Sequence, residues 1–225
     1  EEFGGLAHHA GTARRWVQMA AAAARRPAGT VPAVFPTEAA RKAAYRQLER
    51  TTLRPQQVRE GPARASAHRA AAHPFAYVPV DSTSLTLTDR PRSKGTGPLG
   101  ARKFPTRGRL FMTALAVSPQ RVPLGLADQL SWRRTERVAR KRHNQRPFQR
   151  RESRYFLTLC RRIHARWRAM GVTARPWFQV DRGGDMHPLL RWAVAHQVWL
   201  TVRAMHNRRV IDPLGSKLWE AMGRR

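Results

Sequence analysis

The sequence predicts a mixed α/β protein, with a mixed sheet and flanking helices at residues 75–225 preceded by a small all-α domain at residues 1–74. Three observations predict this organisation. Up to residue 74 the chain is rich in Ala and Arg, and its helical patterns are separated by Pro and Gly. From residue 75 onwards, β-branched and aromatic residues occur in strand-like runs. Several such strands are followed by a strand-helix-strand order, which is typical of a mixed sheet.

The all-α domain is predicted to contain three helices, at residues 8–26, 37–50 and about 54–72. Thr37 is expected to cap the second helix, and the third is expected to begin near Pro55. Each helix carries basic side chains, which suits a small DNA-binding module. A helical subdomain whose charges are only solvated is the alternative interpretation.

The second domain is predicted to alternate strands, loops and helices. Residues 75–88 favour β-branched and aromatic types and indicate two strands that meet near Asp81. Residues 109–117 and 122–132 are predicted to form an antiparallel pair. The other predicted elements, in chain order, are a Gly-, Pro- and basic-rich loop at 90–108, a basic loop at 133–151, a helix at 152–170, a strand at 177–181, a helix at 185–195 and a strand at 198–203.

The charge of the chain predicts a polyanionic partner. The 43 Lys and Arg residues outnumber the 14 Asp and Glu residues, which gives a formal net charge of +29. Such a charge destabilises a compact protein by self-repulsion unless a polyanion neutralises it. Arg greatly outnumbers Lys, and its planar guanidinium matches phosphate oxygens in a bidentate geometry. A GC-rich genome would explain part of the Arg excess but not the scarcity of acids, so we expect a nucleic-acid partner.

The composition also excludes several classes of protein. With 41% hydrophobic residues the chain can form a packed core, so it is not a wholly disordered basic tail. Cys160 is the single cysteine, which excludes an intramolecular disulfide and a thiolate-based zinc finger. No apolar run approaches the roughly 20 residues of a membrane helix, and we expect no membrane partner.

Two aspartates follow apolar strands and are the sharpest local signal. Asp81 comes directly after residues 77–80 (YVPV), and Asp181 comes directly after residues 177–180 (WFQV). Carboxylates at strand ends can converge beside a sheet and bind Mg²⁺, and two such ions about 4 Å apart support phosphodiester cleavage. Turn chemistry is the alternative, because Asp often caps turns after strands. The residues alone leave both interpretations open.

Short stretches spread over most of the chain resemble a known family through their order and spacing. They are AYRQL at 44–48, DSTSL at 81–85, GPLG at 97–100, PLGL at 123–126, Trp132, Glu152-Ser153, VDR at 180–182 with Asp185, and Val202-Arg203. Together they resemble the bacterial DDE transposases of the cut-and-paste insertion-sequence type, the IS-four family that contains the transposon-five transposase.

The resemblance implies a helical domain that binds transposon ends, followed by an RNase H-like catalytic domain. It places Asp81 and Asp181 at the first and second catalytic aspartates, which hold Mg²⁺, with Mn²⁺ able to substitute. The implied activity is metal-dependent strand cleavage and strand transfer. Gly183 and Gly184 depart from the family's Asp-Arg-Glu-Ala-Asp pattern, whereas Asp185 is kept and is expected to cap the next helix.

The third carboxylate of the family has no counterpart in this sequence. In the family it lies on a late helix with a Tyr, Arg, Glu and Lys signature, after an inserted β-rich region, and this chain ends at Arg225 before any such region. Glu220 stands at the spacing of DDE enzymes without the insertion, but its context resembles a segment that precedes the insertion. We therefore expect Glu220 to be a surface helix residue, and the chain to be a fragment or a truncated or decayed copy.

Three groups of basic residues are expected to contact DNA, in the second helix, in the loop after Asp81, and around Asp181 and the last strand. Phosphate contacts of this kind fix position without reading sequence. For any single residue, a solvated side chain is the alternative. The candidates are Arg41, Lys42 and Arg46; Lys94, Arg102 and Lys103; and Arg182, Arg203, Arg208 and Arg209.

Three functions are compatible with these features. The first is a transposase that binds inverted-repeat ends and target DNA in the bacterial nucleoid, with a possible homodimer in a synaptic complex. The second is a truncated, catalytically incomplete relative that acts as a DNA-binding or inhibitory protein. The third, outside the family, is a basic protein that packages DNA or RNA.

Overall fold

The computed structural model describes residues 10–49, 55–88, 95–100, 106–135, 146–211 and 215–223. The predicted helices and strands in these ranges form close to their expected positions. The helices are α1 (Ala10–Arg25), α2 (Val31–Val34), α3 (Glu38–Leu48), α4 (Pro55–Ala70), α5 (Arg154–Ala169), α6 (His187–Ala195) and α7 (Leu218–Met222). The strands are β1 (Phe75–Thr86), β2 (Gly97–Pro98), β3 (Arg107–Val117), β4 (Pro123–Trp132), β5 (Arg175–Val180) and β6 (Trp199–Val202).

The six strands form one mixed sheet, in the order β2-β3-β1-β5-β6, and β4 pairs with β3. Strands β1, β3 and β4 pair antiparallel, whereas β5 lies parallel to β1 and β6 lies parallel to β5. An antiparallel meander extended on one side by two parallel strands, each preceded by a helix, is the arrangement of the RNase H-like fold. The predicted mixed sheet with flanking helices is therefore confirmed, whereas a separate all-α domain before it stays a prediction.

The main apolar core lies between one face of the sheet and α5. Every second residue of β5, and of β1 as far as Val80, is buried, as the period of a half-buried strand requires. Phe156, Leu159, Ile163 and Trp167 recur at helical spacing on α5 and pack into this core. Cys160 lies among them and is fully buried, and burial raises the pKa of its thiol to about 12.

The prediction of two strands over residues 75–88 is wrong, because β1 is one continuous strand. Strand β3 pairs with β1 on both sides of Asp81, from Tyr77 to Thr86. The parallel partner β5 pairs only as far as Val80. Polar residues occur from Asp81 onwards because β1 no longer has β5 as a neighbour there, and not because the chain turns.

Helix α4 packs directly on the sheet. Ser66 Oγ donates a hydrogen bond to the Leu126 carbonyl at 2.9 Å, and Arg69 Nε donates to the Leu124 carbonyl at 2.7 Å. Ala67 belongs to the same apolar core as the sheet. The division of the chain at residue 74 stays a prediction, but this helix shares its core with the strands that follow. Helix α1 packs on α3, and the predicted Thr37 cap of α3 forms, with its hydroxyl accepting from the Ala40 amide at 3.2 Å.

A buried carboxylate joins α4, β4 and α5. The Asp128 side chain is fully buried on β4 and pairs with Arg162 at 3.0 Å and with Arg166 at 3.2 Å. Arg166 also pairs with Glu60 of α4 at 2.9 Å. Because Asp128 and Glu60 together offset the charges of Arg162 and Arg166, α5 can lie on the sheet despite its basic side chains.

Replacing Asp128 with Ala is expected to lower the free energy of unfolding by roughly 3–5 kcal/mol, because it leaves Arg162 without its anionic partner and Arg166 with Glu60 alone. Urea denaturation measures this loss. Glu38→Gln is the control, since Glu38 and Lys42 form an exposed pair at 2.7 Å, and it should change stability by no more than about 0.5 kcal/mol. Equal losses from the two variants would show that the Asp128 cluster does not stabilise the core.

In the described part of the chain, no helix has the length and apolar character needed to cross a membrane.

Candidate active site

The register of the parallel strands brings Asp81 and Asp181 next to each other. Val80 of β1 lies opposite Val180 of β5, and each aspartate is the next residue along its chain. Asp181 keeps an extended backbone, with φ −76° and ψ −169°. Neighbouring strands lie about 4.8 Å apart. The two aspartates therefore occupy adjacent positions at the point where β1 and β5 stop pairing.

Both carboxylates belong to the face of the sheet opposite the main core. Val80 and Val180 are buried, and side chains of successive strand residues point to opposite faces. Asp81 and Asp181 therefore share the other face, and both are exposed. Two carboxylates on one face at one level of the sheet are near enough to bind one group between them.

One oxygen of each carboxylate is held by a local backbone amide. Asp81 Oδ1 accepts from the Ser82 amide at 2.7 Å, and Asp181 Oδ1 accepts from the Gly183 amide at 2.9 Å. Within the described residues, Oδ2 of each side chain accepts no hydrogen bond. Each aspartate is thus oriented through one oxygen and keeps the other for a ligand.

These two oxygens suit a divalent cation but do not complete a site. Carboxylate oxygens are the hard ligands that Mg²⁺ prefers. Among the described residues, which include Glu220, no three His, Cys, Asp or Glu side chains come together to hold a metal. Glu220 is exposed on α7, as predicted, and its Oε2 accepts from the Lys217 amide at 3.1 Å. The pair supplies two protein ligands and leaves other positions open to water or substrate.

The pair is distinctive because most other acids of this region bind arginine. Between residues 55 and 211, the described residues Glu60, Asp128, Glu152 and Asp185 each form an ion pair with an Arg side chain. Asp81 and Asp181 form none with any described residue, although the chain has a large excess of Arg. The two carboxylates are therefore available to a ligand, in a protein whose many arginines pair with the other described acids of this region.

The turn after Asp181 requires the glycines that depart from the family pattern. Asp181 caps a 3₁₀ turn at Arg182–Gly184. A Cβ atom on Gly184 would lie 2.6 Å from Val180 Cγ2, and one on Gly183 would lie 3.1 Å from Asp181 Oδ1. These contacts are too close for larger residues without movement, so the glycines let the turn fold tightly against the end of β5.

The expected helix cap at Asp185 is wrong. The residue before α6 is Met186, which makes no side-chain cap, and Pro188 lacks one of the amides that a cap would bind. Asp185 is instead buried, with 6% of its surface exposed, and its Oδ2 accepts from the amides of Met205 at 2.7 Å and His206 at 3.0 Å. Asp185 therefore anchors the segment that follows β6.

Arg208 completes this anchor. Its Nη1 pairs with Asp185 Oδ1, and its Nη2 donates to the Asp185 carbonyl at 2.9 Å. Burial alone would raise the pKa of the Asp185 carboxyl, but the hydrogen bonds from Arg208 and from the two backbone amides outweigh it and lower that pKa. Because this guanidinium already has a carboxylate partner, a DNA contact from Arg208 stays a prediction.

Two other basic residues lie beside the aspartates. Val202 of β6 pairs with Val180, and the Arg203 amide donates to the Val180 carbonyl at 3.1 Å. Arg203 therefore follows β6 at the level where Asp181 follows β5. Arg182 is the next residue after Asp181. Both arginines are exposed and form no ion pair with a described residue.

The remaining predicted DNA contacts lie elsewhere or outside the described residues. On α3, Arg41 donates to the Pro36 carbonyl at 2.6 Å, Lys42 pairs with Glu38, and Arg46 is exposed. Arg209 is exposed beyond the Asp185 anchor. Lys94, Arg102 and Lys103 lie outside the described residues. DNA binding by all of them stays a prediction.

Sequence reasoning missed an aromatic cluster on the same face as the aspartates. Phe75, Tyr77, Trp177 and Trp199 contact one another, with ring centroids 5.2–5.8 Å apart. The strand alternation contained the needed signal, because Trp177 is separated by an even number of residues from Asp181 and therefore shares its face.

No protein-family model matches the chain, and no curated protein is similar to it in sequence. Among solved structures, the chain is similar to the piggyBac transposase synaptic complex with hairpin DNA, with a TM-score of 0.38 and 11% identity over 90% of this chain and 43% of that one. It is also similar to the Mos1 mariner paired-end complex with Mn (TM-score 0.31, 13% identity, 98% of this chain and 75% of that one) and to the Mos1 strand transfer complex (0.27, 13%, 92% and 63%). The chain spans less than half of the piggyBac chain. The fold assignment rests on the strand order of the sheet and not on these scores.

Replacing Gly184 with Ala is expected to lower the free energy of unfolding by roughly 1–3 kcal/mol, because the new methyl group would overlap the stiff side chain of Val180. Urea denaturation measures the change. Gly223→Ala is the matched control, since the nearest atom to its Cβ would be 3.5 Å away. Similar losses from the two variants would contradict the close packing of the turn.

Replacing Asp185 with Asn is expected to destabilise the segment after β6, because Arg208 loses its anionic partner. The pKa of Asp185 is lowered in the folded state, so its stabilisation is present above the ordinary Asp value of about 3.9 and is lost as the pH falls through the lower folded value. The difference in unfolding free energy between wild type and variant should therefore be constant near pH 7 and shrink below about pH 4.

Amide hydrogen exchange provides the local readout for the same variant. The amides of Met205 and His206 should exchange faster in Asp185→Asn, whereas amides in α5 should be unchanged. Unaltered protection at both positions would show that Asp185 does not hold this segment.

Proposed function

We propose that this chain binds DNA and takes part in metal-dependent cleavage of DNA strands, as the RNase H-like core of a DDE-type transposase. The observation that carries the proposal is the adjacent, in-register position of Asp81 and Asp181 on one exposed face, with a free oxygen on each. A net charge of +29 supports a polyanionic substrate.

Asp81 and Asp181 would hold Mg²⁺, or Mn²⁺ in its place, through their Oδ2 atoms. A divalent ion bound there supplies charge neutralisation at a scissile phosphate and lowers the pKa of a bound water. The amides of Ser82 and Gly183 fix the two carboxylates in advance, so little reorganisation is needed when the ion and the DNA arrive.

Arg182 and Arg203 would bind phosphates on either side of the cleaved bond. They are exposed, they stand at the level of the aspartates, and they have no acidic partner among the described residues. Arg209 extends this basic surface beyond the Asp185 anchor. Arg41, Lys42 and Arg46 on α3 are proposed to contact the inverted-repeat ends, and Lys94, Arg102 and Lys103 to contact the flanking strand.

In this proposal the natural substrates are transposon inverted-repeat ends and target DNA, bound by a homodimer in a synaptic complex within the bacterial nucleoid. Cleavage at the ends would be followed by strand transfer at the same pair of carboxylates.

A second candidate function is supported by the incomplete carboxylate set. No third acidic side chain joins Asp81 and Asp181 among the described residues. A chain that holds metal weakly would still occupy DNA ends through its arginines. It would then act as a DNA-binding or inhibitory protein that competes with a complete enzyme.

Nicking of supercoiled plasmid in Mg²⁺ or Mn²⁺ tests the catalytic proposal. We expect the wild type to nick, and Asp81→Asn and Asp181→Asn each to abolish nicking, because either change removes a metal ligand. Glu220→Gln, which alters an exposed carboxylate outside the pair, should nick like the wild type. Equal nicking by the wild type and both Asp variants would exclude catalysis at this pair.

Binding measurements separate the two candidates. Affinity for the DNA that flanks the gene is compared with affinity for random duplex at the same salt concentration. A wild type that never nicks, but prefers the flanking DNA, supports the second candidate. Calorimetry with Mn²⁺ then shows whether the pair binds metal, and loss of that binding in Asp81→Asn would assign the ligand.

A further inference from the structure

A basic groove lies at the end of the sheet opposite the aspartates. Two adjoining cavities, of about 480 and 210 Å³, share His164, Arg168 and His196. One is bordered by Arg161 of α5, and the other reaches Arg175 and Trp199 at the beginnings of β5 and β6. We call this feature the α5 groove.

The α5 groove carries unneutralised positive charge. Arg161, Arg168 and Arg175 are exposed, and none forms an ion pair with a described residue. Arg175 lies over the ring of Trp199, with its guanidinium carbon 5.5 Å from the ring centroid. The described residues that line the two cavities include no Asp or Glu.

Arginines on the other side of α5 have acidic partners, so unneutralised charge is not a general property of the helix. There, Arg162 and Arg166 point to Asp128 and Glu60, which neutralise them. Arg162 and Arg166 of α5 are therefore paired and pack the helix on the sheet, whereas Arg161 and Arg168 of the same helix line the groove without an acidic partner among the described residues.

Two histidines add donors to the groove. The rings of His164 and His196 lie 5.9 Å apart, and His196 Nδ1 is 2.9 Å from the Trp192 carbonyl. Burial lowers the pKa of His164, and the charges of His196 and Arg168 lower it further. An anion in the groove would offset this repulsion and favour protonation of His164.

The spacing of the charges favours a polyanion over a single phosphate group. Arg161 and Arg168 are two helical turns apart, which corresponds to about 10 Å along the axis. Successive phosphates of one strand advance about 3.4 Å along the duplex axis, so about three of them cover the same axial length. A chain of phosphates therefore matches the groove better than a free nucleotide does.

The groove is also separate from the candidate active site. It adjoins the first residues of β5 and β6, whereas Asp181 and Arg203 follow the last residues of these strands. Six residues of β5 correspond to about 20 Å. A DNA segment in the groove would leave the aspartates free for another segment.

We propose that the α5 groove is a second DNA-binding site, which holds the phosphate backbone of a duplex segment about 20 Å from the candidate active site. The proposal deepens the proposed function, since it rests on DNA being the substrate. Arg161, Arg168 and Arg175 contact phosphates, and His164 and His196 lie beside them in the same groove.

The salt dependence of binding to random duplex DNA tests the groove. Arg161→Gln/Arg168→Gln should reduce the slope of log affinity against log salt by about 2, because each lost phosphate contact contributes about 0.9. The control is Arg121→Gln/Arg150→Gln, which removes the same charge at two exposed positions outside both sites and should leave the slope unchanged. Equal slopes in the two variants would overturn the proposal.

The pH dependence of duplex affinity provides a second readout. Because the pKa of His164 is lowered in the free protein, wild-type affinity should rise once the pH falls below the ordinary His value of about 6.5, and His164→Gln should flatten this rise. An unchanged pH profile in that variant would exclude His164 from the site.

Further measurements separate the ligand sources and the two proposals. Tight binding of ATP or inorganic phosphate that needs Arg161 and Arg168, without an effect of these residues on duplex binding, would identify a small-molecule site and overturn the DNA assignment. A wild type that binds no duplex would contradict the proposed function itself. If the wild type binds duplex and the Arg161→Gln/Arg168→Gln variant has the same salt dependence as the control variant, only the proposal of a binding site in the α5 groove is overturned.

Discussion

The parallel pairing of β1 with β5 is the constraint on which the candidate site depends. It places residue 80 opposite residue 180 and so sets two aspartates, far apart in the chain, side by side. The pairing is secured by burial, since Val78, Val80, Phe178 and Val180 face the core together. A register shift of one residue would turn these apolar side chains towards solvent. The stability of the core thus fixes the geometry of the carboxylates without any contact between them.

The distribution of charge explains how so basic a chain can fold while the carboxylates of Asp81 and Asp181 remain without an arginine partner among the described residues. Asp128, Glu60 and Asp185 are used where arginines approach the core or anchor a segment. Two groups of arginines without such partners among the described residues lie on separate surfaces, one around the aspartate pair and one in the α5 groove. The arginines near the core are therefore neutralised by acids, whereas the excess positive charge is carried by other arginines on the surface. The protein can for this reason be both compact and strongly cationic.

The sequence predicted the elements whose signals are local and missed those decided by tertiary neighbours. Helix α5 and the positions of Asp81 and Asp181 followed from helical and strand periodicity. The continuity of β1 could not be predicted in this way. Polar residues follow Val80 whether the chain turns there or the strand only loses its neighbour β5, so the sequence does not distinguish the two cases. Asp185 resembled a helix cap in sequence, but its partners lie some 20 residues away along the chain. The α5 groove was equally hidden, since its walls come from two helices and two strand beginnings that only the fold brings together.

The burial of Cys160 makes its chemical labelling a measure of how often α5 separates from the sheet. The chain holds one sulfhydryl, which lies on the core-facing side of α5 with no exposed surface, and burial raises its pKa to about 12. At neutral pH such a group is almost wholly protonated and out of reach of alkylating reagents and peroxide. Its labelling rate would therefore follow the separation of α5 from the sheet, and DNA bound in the α5 groove would slow that labelling by holding the helix in place.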